Sequence, residues 1–342
     1  MNPRALALVP PSANSAAAIP PETALLGLPL IRRTALAARK AGFERIFVAD
    51  SDSGPLARAL DGTPVEFVGA EFHAPDGTAI LPWNLVVDTR ALQHLLPGLD
   101  PQEEGIPVRT RADLPRAEKW LLSRLLKDTE GFMSRHFERK VSLALTRRLA
   151  ATSVTPNQMT LISVAIGLAS APFFLFTRPI LQTVGALLFL LHSIVDGCDG
   201  ELARLKFQES RWGGILDFWG DNLVHVAIFA AIAAGWSHAT GKTWPLLLGA
   251  AAILGTLASA GLAYLQTMRK PKEGPLFTNV TDSAAAGSDV VNALARRDFI
   301  YVVLALSLFG KANWFLALAA VGAPAFFVAL VLLGRPPETK PK

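Results

Sequence analysis

The sequence predicts an α-helical integral membrane domain with six transmembrane helices, preceded by a small cytosolic α/β domain. The hydrophobic fraction of the 342 residues is 51%, and the mean hydropathy of +0.35 is high for a soluble protein. Most long apolar runs lie after residue 157, whereas the first third alternates short apolar runs with Gly, Pro and Asp turns. This division predicts two structurally different parts.

The first part has the pattern of an α/β domain over residues 1–100. An amphipathic helix is predicted over 29–41, ending near Gly42, and four apolar runs predict strands over 5–9, 44–50, 65–72 and 84–89. Strands and a helix joined by short turns indicate a sheet layer covered by a helix. A stretch over 101–115 is rich in Pro, Gly and charge and is predicted to be a linker.

Residues 116–150 open the predicted membrane domain, 116–342. Apolar residues recur here at spacings of three and four with Arg and Lys between them, which predicts a helix lying along the membrane interface. A helix of a soluble bundle would show the same period. The interfacial interpretation is preferred because a spanning segment follows directly.

Six spans are predicted within residues 157–334, and the fifth is short for a bilayer crossing. Their approximate ranges are 159–177, 179–196, 214–235, 243–267, 299–309 and 313–333. The loops on one side and the C-terminal tail carry eleven Lys or Arg residues, against three in the loops on the other side. The positive-inside rule then predicts a multi-pass protein of the cell (inner) membrane with both termini in the cytoplasm.

The remaining composition narrows the function classes. The formal net charge is +5, and the basic residues cluster beside apolar segments, which favours a membrane surface. No basic stretch interleaved with aromatics suggests nucleic-acid binding. Cys198 is the only cysteine, so an intrachain disulfide is impossible; the residue is interpreted as a small packing residue.

Four aspartates lie close together in residues 193–226. Asp196 and Asp199 are three apart and Asp217 and Asp221 four apart, so each pair shares one helix face. A turn at 212–214 would fold the second helix back beside the first and bring the four carboxylates together. Solvated loop acids are the alternative, but they poorly explain two acids within an apolar helix.

Four acids at a membrane boundary are costly unless they are neutralised. Two Mg²⁺ or Mn²⁺ ions would match their charge, and oxygen ligands suit these hard cations. Such a pair of ions can clamp a pyrophosphate. Arg204, one turn beyond Gly200, can pair with phosphate oxygens.

The complete pattern runs Asp196-x2-Asp199-Gly200-x2-Ala203-Arg204-x8-Gly213-x3-Asp217-x3-Asp221. It resembles the signature of the CDP-alcohol phosphotransferase family. The resemblance implies six transmembrane helices and metal binding by the first three aspartates. It also implies that Asp221 is the general base toward the acceptor hydroxyl, near the second metal, and that Gly200, Ala203, Arg204 and Gly213 line the CDP pocket.

Residues 130–160 are similar to the region before span one in the di-myo-inositol-phosphate-phosphate synthase branch of that family. Thr155-Pro156-Asn157 and Thr160 match the family's entry to the span. Asn157 and Thr160 are therefore candidate nucleotide contacts, with helix capping as the alternative.

Three further groups carry weaker signals. His192 and His225 each lie one turn from an aspartate of the pattern and could tune it. Arg296 and Arg297 could bind an acceptor phosphate, although positive-inside charges need no such role.

The first part resembles a shortened sugar-phosphate nucleotidyltransferase. Where that family has a Gly-rich loop with basic residues, residues 10–23 contain no Gly, Arg or Lys and two Pro-Pro pairs. A phosphate-cradling loop needs free backbone N–H groups and positive charge. We therefore expect a degenerate domain with a docking or structural role.

Together the patterns predict an enzyme that transfers a substituted phosphate group from a CDP-alcohol to an acceptor alcohol and releases CMP. The acceptor would be a polyol phosphate such as inositol phosphate. The alternatives are a phospholipid synthase using CDP-diacylglycerol and a non-enzymatic divalent-cation transporter, although a transporter would place its acids near mid-bilayer. A homodimer is compatible with the sequence.

Overall fold

The structure is a computed structural model that describes residues 5–11, 19–49, 53–69, 72–94, 105–125, 137–268 and 299–333. The chain forms two compact units. The first contains Met1–Leu126 with the short segments Arg147–Ser153 and Arg204–Phe207. The second contains Lys127–Thr146, Val154–Ala203 and Gln208–Lys342.

The first unit is built on a four-stranded parallel sheet in the order β5-β4-β1-β6. The strands are β1 (Ala5–Val9), β4 (Arg45–Ala49), β5 (Glu66–Val68) and β6 (Ala79–Pro82). Leu6 of β1 lies opposite Ile46 on one side and Ala79 on the other. The predicted α/β region is therefore confirmed, with β1 and β4 at the predicted positions.

Helix α1 (Leu30–Ala41) follows β1 in the chain and covers one face of the sheet. Its buried Ile31, Ala35 and Ala38 pack in the same cluster as Leu6 and Leu8. Gly42 ends the helix with φ 103°, a left-handed conformation that glycine adopts without a Cβ clash. The predicted helix and its end are confirmed.

The apolar run over 84–89 is not a strand of the main sheet, contrary to the prediction. Only Leu85–Val86 (β7) is extended, and it pairs with Ile106–Pro107 (β8), while β6 is the fourth strand of the main sheet. Leu85 and Val87 are buried in the cluster that contains α1, so their apolar character reflects packing on that helix. The strand predicted over 65–72 is shortened to β5.

This part also contains a short hairpin and three further helices. They are the hairpin β2 (Ala24–Leu25) and β3 (Leu28–Pro29), and the helices α2 (Ser53–Ala59), α3 (Thr89–His94) and α4 (Leu114–Ser123).

The described chain after residue 137 is helical. Its elements are α5 (Arg139–Ala150), α6 (Pro156–Ser170) with a 3₁₀ turn Ala171–Leu175, α7 (Pro179–Lys206), α8 (Arg211–Thr240), α9 (Trp244–Ala263) with a π turn Tyr264–Met268, α10 (Phe299–Leu308) and α11 (Ala312–Leu333).

Five of the described helices are long and apolar enough to cross a membrane, and α10 is a shorter apolar helix. Large apolar side chains cover their outer surfaces, including Ile180 at 78% exposure and Leu247 at 71%. An apolar surface of this extent suits a lipid environment. The predicted fifth span corresponds to α10, and the residues before it, 269–298, lie outside the described part of the chain.

Helices α6 and α8 approach each other through glycines. A Cβ on Gly167 would lie 2.6 Å from Val224 Cγ2, and one on Gly220 would lie 2.5 Å from Val164 Cγ2. Each helix thus offers a glycine where the other presents a valine. This close packing fixes the first turns of α8 beside the start of α6.

The connection between α7 and α8 lies earlier than predicted. The chain reverses at 207–210, where Phe207 has φ 56°, and Trp212–Gly214 already belong to α8. Ser210 caps α8, its hydroxyl accepting a hydrogen bond of 3.0 Å from Gly213 N. The serine cap therefore starts the helix before the glycines that were expected to form the turn.

Candidate metal centre

Three of the four predicted carboxylates converge. Asp196 on α7 and Asp217 and Asp221 on α8 each offer one oxygen, and these atoms lie within 4.8 Å of one another. Asp196 and Asp217 are buried and Asp221 is half-buried. Three oxygen ligands at this spacing can hold a hard divalent cation, and the absence of His or Cys from the group disfavours zinc.

Asp199 is held separately, although it is buried and lies on the same helix. Its carboxylate accepts a hydrogen bond from the Thr160 hydroxyl and another from the backbone N–H of Gly200. The structure therefore pairs Asp199 with α6 and leaves it outside the group of three.

The start of α6 brings together two predicted pocket residues. A Cβ on Gly213 would lie 2.9 Å from Asn157 Oδ1, so Asn157 reaches the first turn of α8. The cap of α6 is Thr155: its hydroxyl accepts from Gln158 N at 3.3 Å, and its N–H donates to Gln158 Oε1 at 3.0 Å. Helix capping was the alternative role for Asn157 and Thr160, and here the capping box of Thr155 and Gln158 fills it.

Gly200, Ala203 and Arg204 lie on the last turns of α7. Ala203 O accepts a hydrogen bond from Gln208 N at 2.8 Å, which closes the helix end. Arg204 lies one turn beyond Gly200, as the spacing requires.

The two histidines have different environments. His192 Nε2 lies 3.5 Å from Asp221 Oδ1, and His192 Nδ1 lies 2.9 Å from Ser163 O. Because a carbonyl oxygen only accepts, Nδ1 carries a proton. His225 instead lies among rings, with centroids 5.8 Å from Phe189 and 5.6 Å from Phe299.

The predicted Arg296 and Arg297 lie outside the described residues. Cys198 is fully buried, and its thiol lies 3.5 Å from Ser142 O and from Ile194 O. These contacts agree with its interpretation as a packing residue.

Sequence reasoning missed a buried polar network centred on Glu201. This residue is fully buried and accepts hydrogen bonds from Arg139 Nη1 at 2.8 Å, Ser142 Oγ at 2.7 Å and Thr146 Oγ1 at 2.7 Å. All three donors lie on α5. The available signal was the spacing of four between Ser142 and Thr146, which places both hydroxyls on one helix face.

The same face of α5 continues to Glu138, which is buried and accepts a hydrogen bond from Ser193 Oγ at 3.0 Å. Phe137 and Val141 are exposed instead. The helix therefore buries its polar side against α7 and leaves apolar side chains outside.

The protein is mainly helical, with several helices long and apolar enough to cross a membrane. Two consecutive helices, α7 and α8, carry the carboxylates of a candidate cation site. The CDP-alcohol phosphatidyltransferase family model matches residues 153–333. This match covers more than half of the chain and includes α6–α11, so the chain belongs to that family. The resemblance drawn from the aspartate pattern is confirmed.

Curated relatives share part of the sequence. A bifunctional IPC transferase and DIPP synthase of Archaeoglobus fulgidus is 39% identical over 132 residues, which are 38% of this chain and 26% of that protein. The Rubrobacter xylanophilus protein of the same name is 37% identical over 147 residues, 42% of this chain and 33% of that protein. The matched part thus spans no more than a third of these two relatives.

A shorter relative is the archaetidylinositol phosphate synthase of Pyrococcus horikoshii. It is 34% identical over 104 residues, 30% of this chain and 53% of that protein. Among solved structures, Mycobacterium tuberculosis phosphatidylinositol phosphate synthase with CDP-DAG bound is 16% identical with a TM-score of 0.40. That similarity covers 59% of this chain and 98% of the other.

Proposed function

We propose that this protein is a membrane enzyme that transfers a substituted phosphate group from a CDP-alcohol to an acceptor alcohol and releases CMP. The observation that carries the proposal is the group formed by Asp196, Asp217 and Asp221. It lies inside the segment that matches the family, and its oxygens suit a divalent cation.

The proposed metal site comprises Asp196, Asp217 and Asp221, with Asp199 as the fourth carboxylate. Bound Mg²⁺ or Mn²⁺, with two ions expected, would clamp the pyrophosphate and stabilise charge on the attacking and leaving oxygens. The hydrogen bonds from Thr160 and Gly200 orient Asp199. For Asp199 to join an ion, its carboxylate would exchange one or both of these hydrogen bonds for the metal.

Asp221 is the proposed general base. Its partial exposure distinguishes it from the buried Asp196 and Asp217, and an acceptor hydroxyl can reach only a carboxylate that is open to the site. By taking the hydroxyl proton as the new P–O bond forms, Asp221 avoids the cost of a free alkoxide. His192, 3.5 Å away, limits the orientations available to this carboxylate.

The donor pocket is proposed to comprise Gly200, Ala203, Arg204, Gly213, Asn157 and Thr160. The proximity of Asn157 to Gly213 and the hydrogen bond from Thr160 to Asp199 support this assignment. Small residues on α7 and α8 would leave room for the nucleotide. Arg204 would supply charge-assisted hydrogen bonds to phosphate oxygens.

The names of the relatives support a polyol phosphate, such as inositol phosphate, as the acceptor. Four relatives are named for IPC transferase and DIPP synthase activities, and a fifth for archaetidylinositol phosphate synthesis. A phosphatidylinositol phosphate synthase among the relatives keeps CDP-diacylglycerol as the alternative donor for phospholipid synthesis.

We further propose six spans in the cell membrane, with α10 as the fifth, and with both termini and the site in the cytoplasm. The proposed domains are 1–100 and the membrane domain 116–342. They are joined by the linker 101–115, whose described residues pack with the first domain through the pairing of β8 with β7. The polar buried side and exposed apolar side of α5 support an interfacial position for this helix.

The decisive test is CMP release by the purified full chain with a matrix of donors and acceptors. Donors should include CDP-inositol and CDP-diacylglycerol, and acceptors inositol phosphate, free inositol and glycerol phosphate. We expect divalent-dependent CMP release with one donor and inositol phosphate as the best acceptor. Cation uptake into vesicles without CMP release would support a transporter, and the mass in detergent would reveal whether the enzyme is a homodimer.

A further inference from the structure

The first compact unit includes two short segments that lie far from its main sequence range. One is Arg147–Ser153, which contains the end of α5, and the other is Arg204–Phe207, which contains the last turn of α7. The contacts within this unit show how its α/β part holds each segment.

Arg33 on α1 binds the end of α7. It is buried, with 2% exposure, and donates hydrogen bonds to Leu205 O at 3.0 Å, Leu25 O at 2.9 Å and Leu26 O at 3.3 Å. Carbonyls in a last helical turn lack helical partners, and a cation there is favoured by the helix dipole. Arg33 therefore supplies both a donor and a positive charge to this helix end.

The charge of Arg33 survives its burial. Desolvation lowers its pKa to about 10, which still leaves the guanidinium protonated at neutral pH. A buried cation is costly unless hydrogen-bonded, and Arg33 donates hydrogen bonds to three backbone carbonyls. The desolvation of Arg33 is therefore offset by hydrogen bonds, one of which is made to α7.

Phe207 provides an independent indication. It follows α7 in a left-handed conformation with φ 56°, and the bond from Gln208 N to Ala203 O completes a Schellman-type helix end. Glycine is the usual residue there, because a bulky L-residue is strained. The Phe207 side chain, however, packs against the cluster formed by α1 and the sheet, which includes Ile31, Leu56 and Leu85.

The second segment is held at equally close range. Gly27 has φ 80°, and a Cβ there would lie 2.1 Å from Ala150 O, so only glycine permits this approach. Lys206 Nζ donates to Thr152 O at 2.8 Å, which joins the two segments to each other. Within the first unit, the α/β part thus lies close to the backbone of both segments.

We propose that the α/β part of the first unit is an anchoring domain whose ligand is this chain's own helix end, residues 204–207, together with 147–153. The ligand chemistry is a helix C-terminus with an open carbonyl, followed by an aromatic side chain. The anchored turn immediately follows Gly200 and Ala203 and includes Arg204. The catalytic consequence rests on the proposed function: the domain keeps the donor-binding end of α7 helical.

The test uses full-length Arg33→Met and Phe207→Gly, with Arg39→Met as the matched control. Arg39 is an arginine on the same helix, but it is exposed and donates to Glu44 O. Backbone hydrogen exchange of residues 202–208 is measured in each protein. Loss of a charged hydrogen bond should accelerate exchange about ten-fold or more in Arg33→Met, whereas Arg39→Met should match wild type.

Phe207→Gly gives the sharper result and remains informative if Arg33→Met does not fold. If the phenylalanine were merely tolerated, glycine would relieve strain and slow exchange of the helix end. Anchoring predicts the opposite, because glycine removes the packed side chain. Slower or unchanged exchange in Phe207→Gly would overturn the proposal.

A second readout separates anchoring from the proposed reaction. If both hold, Arg33→Met and Phe207→Gly raise KM for the CDP-alcohol more than they lower kcat, since the donor site is loosened while Asp221 is untouched. Accelerated exchange in a protein that never releases CMP would retain the anchoring domain and reject the transferase function.

Discussion

Asp196 and Glu201 are buried carboxylates that lie about one and a half helical turns apart on α7, and their surroundings differ. Glu201 is surrounded by donors, with Arg139, Ser142 and Thr146 all at 2.7 to 2.8 Å. Asp196, in contrast, is brought together with Asp217 and Asp221 within 4.8 Å. The charge of Glu201 is compensated by donors on α5, whereas Asp196, Asp217 and Asp221 place three like charges close together.

The difference indicates which acids serve structure and which serve chemistry. A buried charge with matched donors is compensated, and removing one partner damages the fold. A cluster of like charges is unfavourable by itself and becomes favourable when a cation binds. We therefore expect substitutions in the two groups to have opposite signatures, one in activity and one in stability.

The largest effect is expected at the cluster. Asp217→Ala should lower the rate of CMP release by more than about 100-fold, as expected when a group that stabilises transition-state charge is lost. It should also weaken Mn²⁺ binding, measured by titration calorimetry, and leave the unfolding midpoint little changed. Glu209→Ala, an exposed carboxylate between α7 and α8, is the control, and full activity in EDTA-treated enzyme would refute the metal site.

The second prediction separates the base from the ligands. Asp221→Asn should bind CDP-alcohol with nearly wild-type affinity but turn over about 10²–10⁴-fold more slowly, the usual contribution of a general base. Calorimetric binding of the CDP-alcohol and the CMP release rate are measured on the same sample. Loss of binding together with rate would make Asp221 chiefly a metal ligand, and an unchanged rate would remove it from the mechanism.

The third prediction concerns the compensated carboxylate. Glu201→Ala should destabilise the protein by about 3 kcal/mol, because it removes the acceptor of three buried or partly buried donors. Glu201→Gln should cost less, since its carbonyl oxygen still accepts from a hydroxyl. Denaturant unfolding in detergent, followed by tryptophan fluorescence, measures both variants.

A matched pair on α5 controls this experiment. Arg139→Met breaks the buried bond to Glu201, whereas Arg147→Met breaks a bond to Glu118 in which the arginine side chain is 56% exposed. Arg139→Met should be clearly the more destabilising change, since surface ion pairs contribute little. Equal effects would show that the bond from Arg139 does not compensate the buried charge of Glu201.

The smallest effect is expected where a carboxylate is paired in solvent. Glu66 lies on an exposed strand and bonds Arg45 at 2.6 and 2.9 Å, and the hydrogen bond from Arg45 lowers the pKa of Glu66. A lowered folded-state pKa means that the pair stabilises the fold at neutral pH and that this contribution is lost as the pH falls through the lowered value. Glu66→Gln should shift the unfolding midpoint only slightly at pH 7 and not at all once Glu66 is protonated; a large shift in 0.15 M salt would contradict the screening argument.

Much of the helical part was predictable because its signals are local. The apolar runs located five long helices, although α7 extends to Lys206, beyond the predicted end of its span at 196. The spacing of Asp217 and Asp221 placed them on one face. The end of α1 at Gly42 was equally local, since one left-handed glycine stops a helix. The prediction of a strand over 84–89 was wrong because an apolar run indicates burial but not its cause. A segment can be buried by packing on a helix as well as by pairing with a neighbouring strand.

The sequence by itself determined the family, the helices and the set of acids, because periodicity and motif spacing involve residues close together in the chain. Only the tertiary structure decided that Asp196 joins Asp217 and Asp221 while Asp199 turns to Thr160, and that Glu201 is balanced by α5. It alone connected Arg33 to Leu205, which are 172 residues apart. Such contacts depend on how helices pack and on which buried groups find hydrogen-bond partners, and no local pattern encodes either outcome.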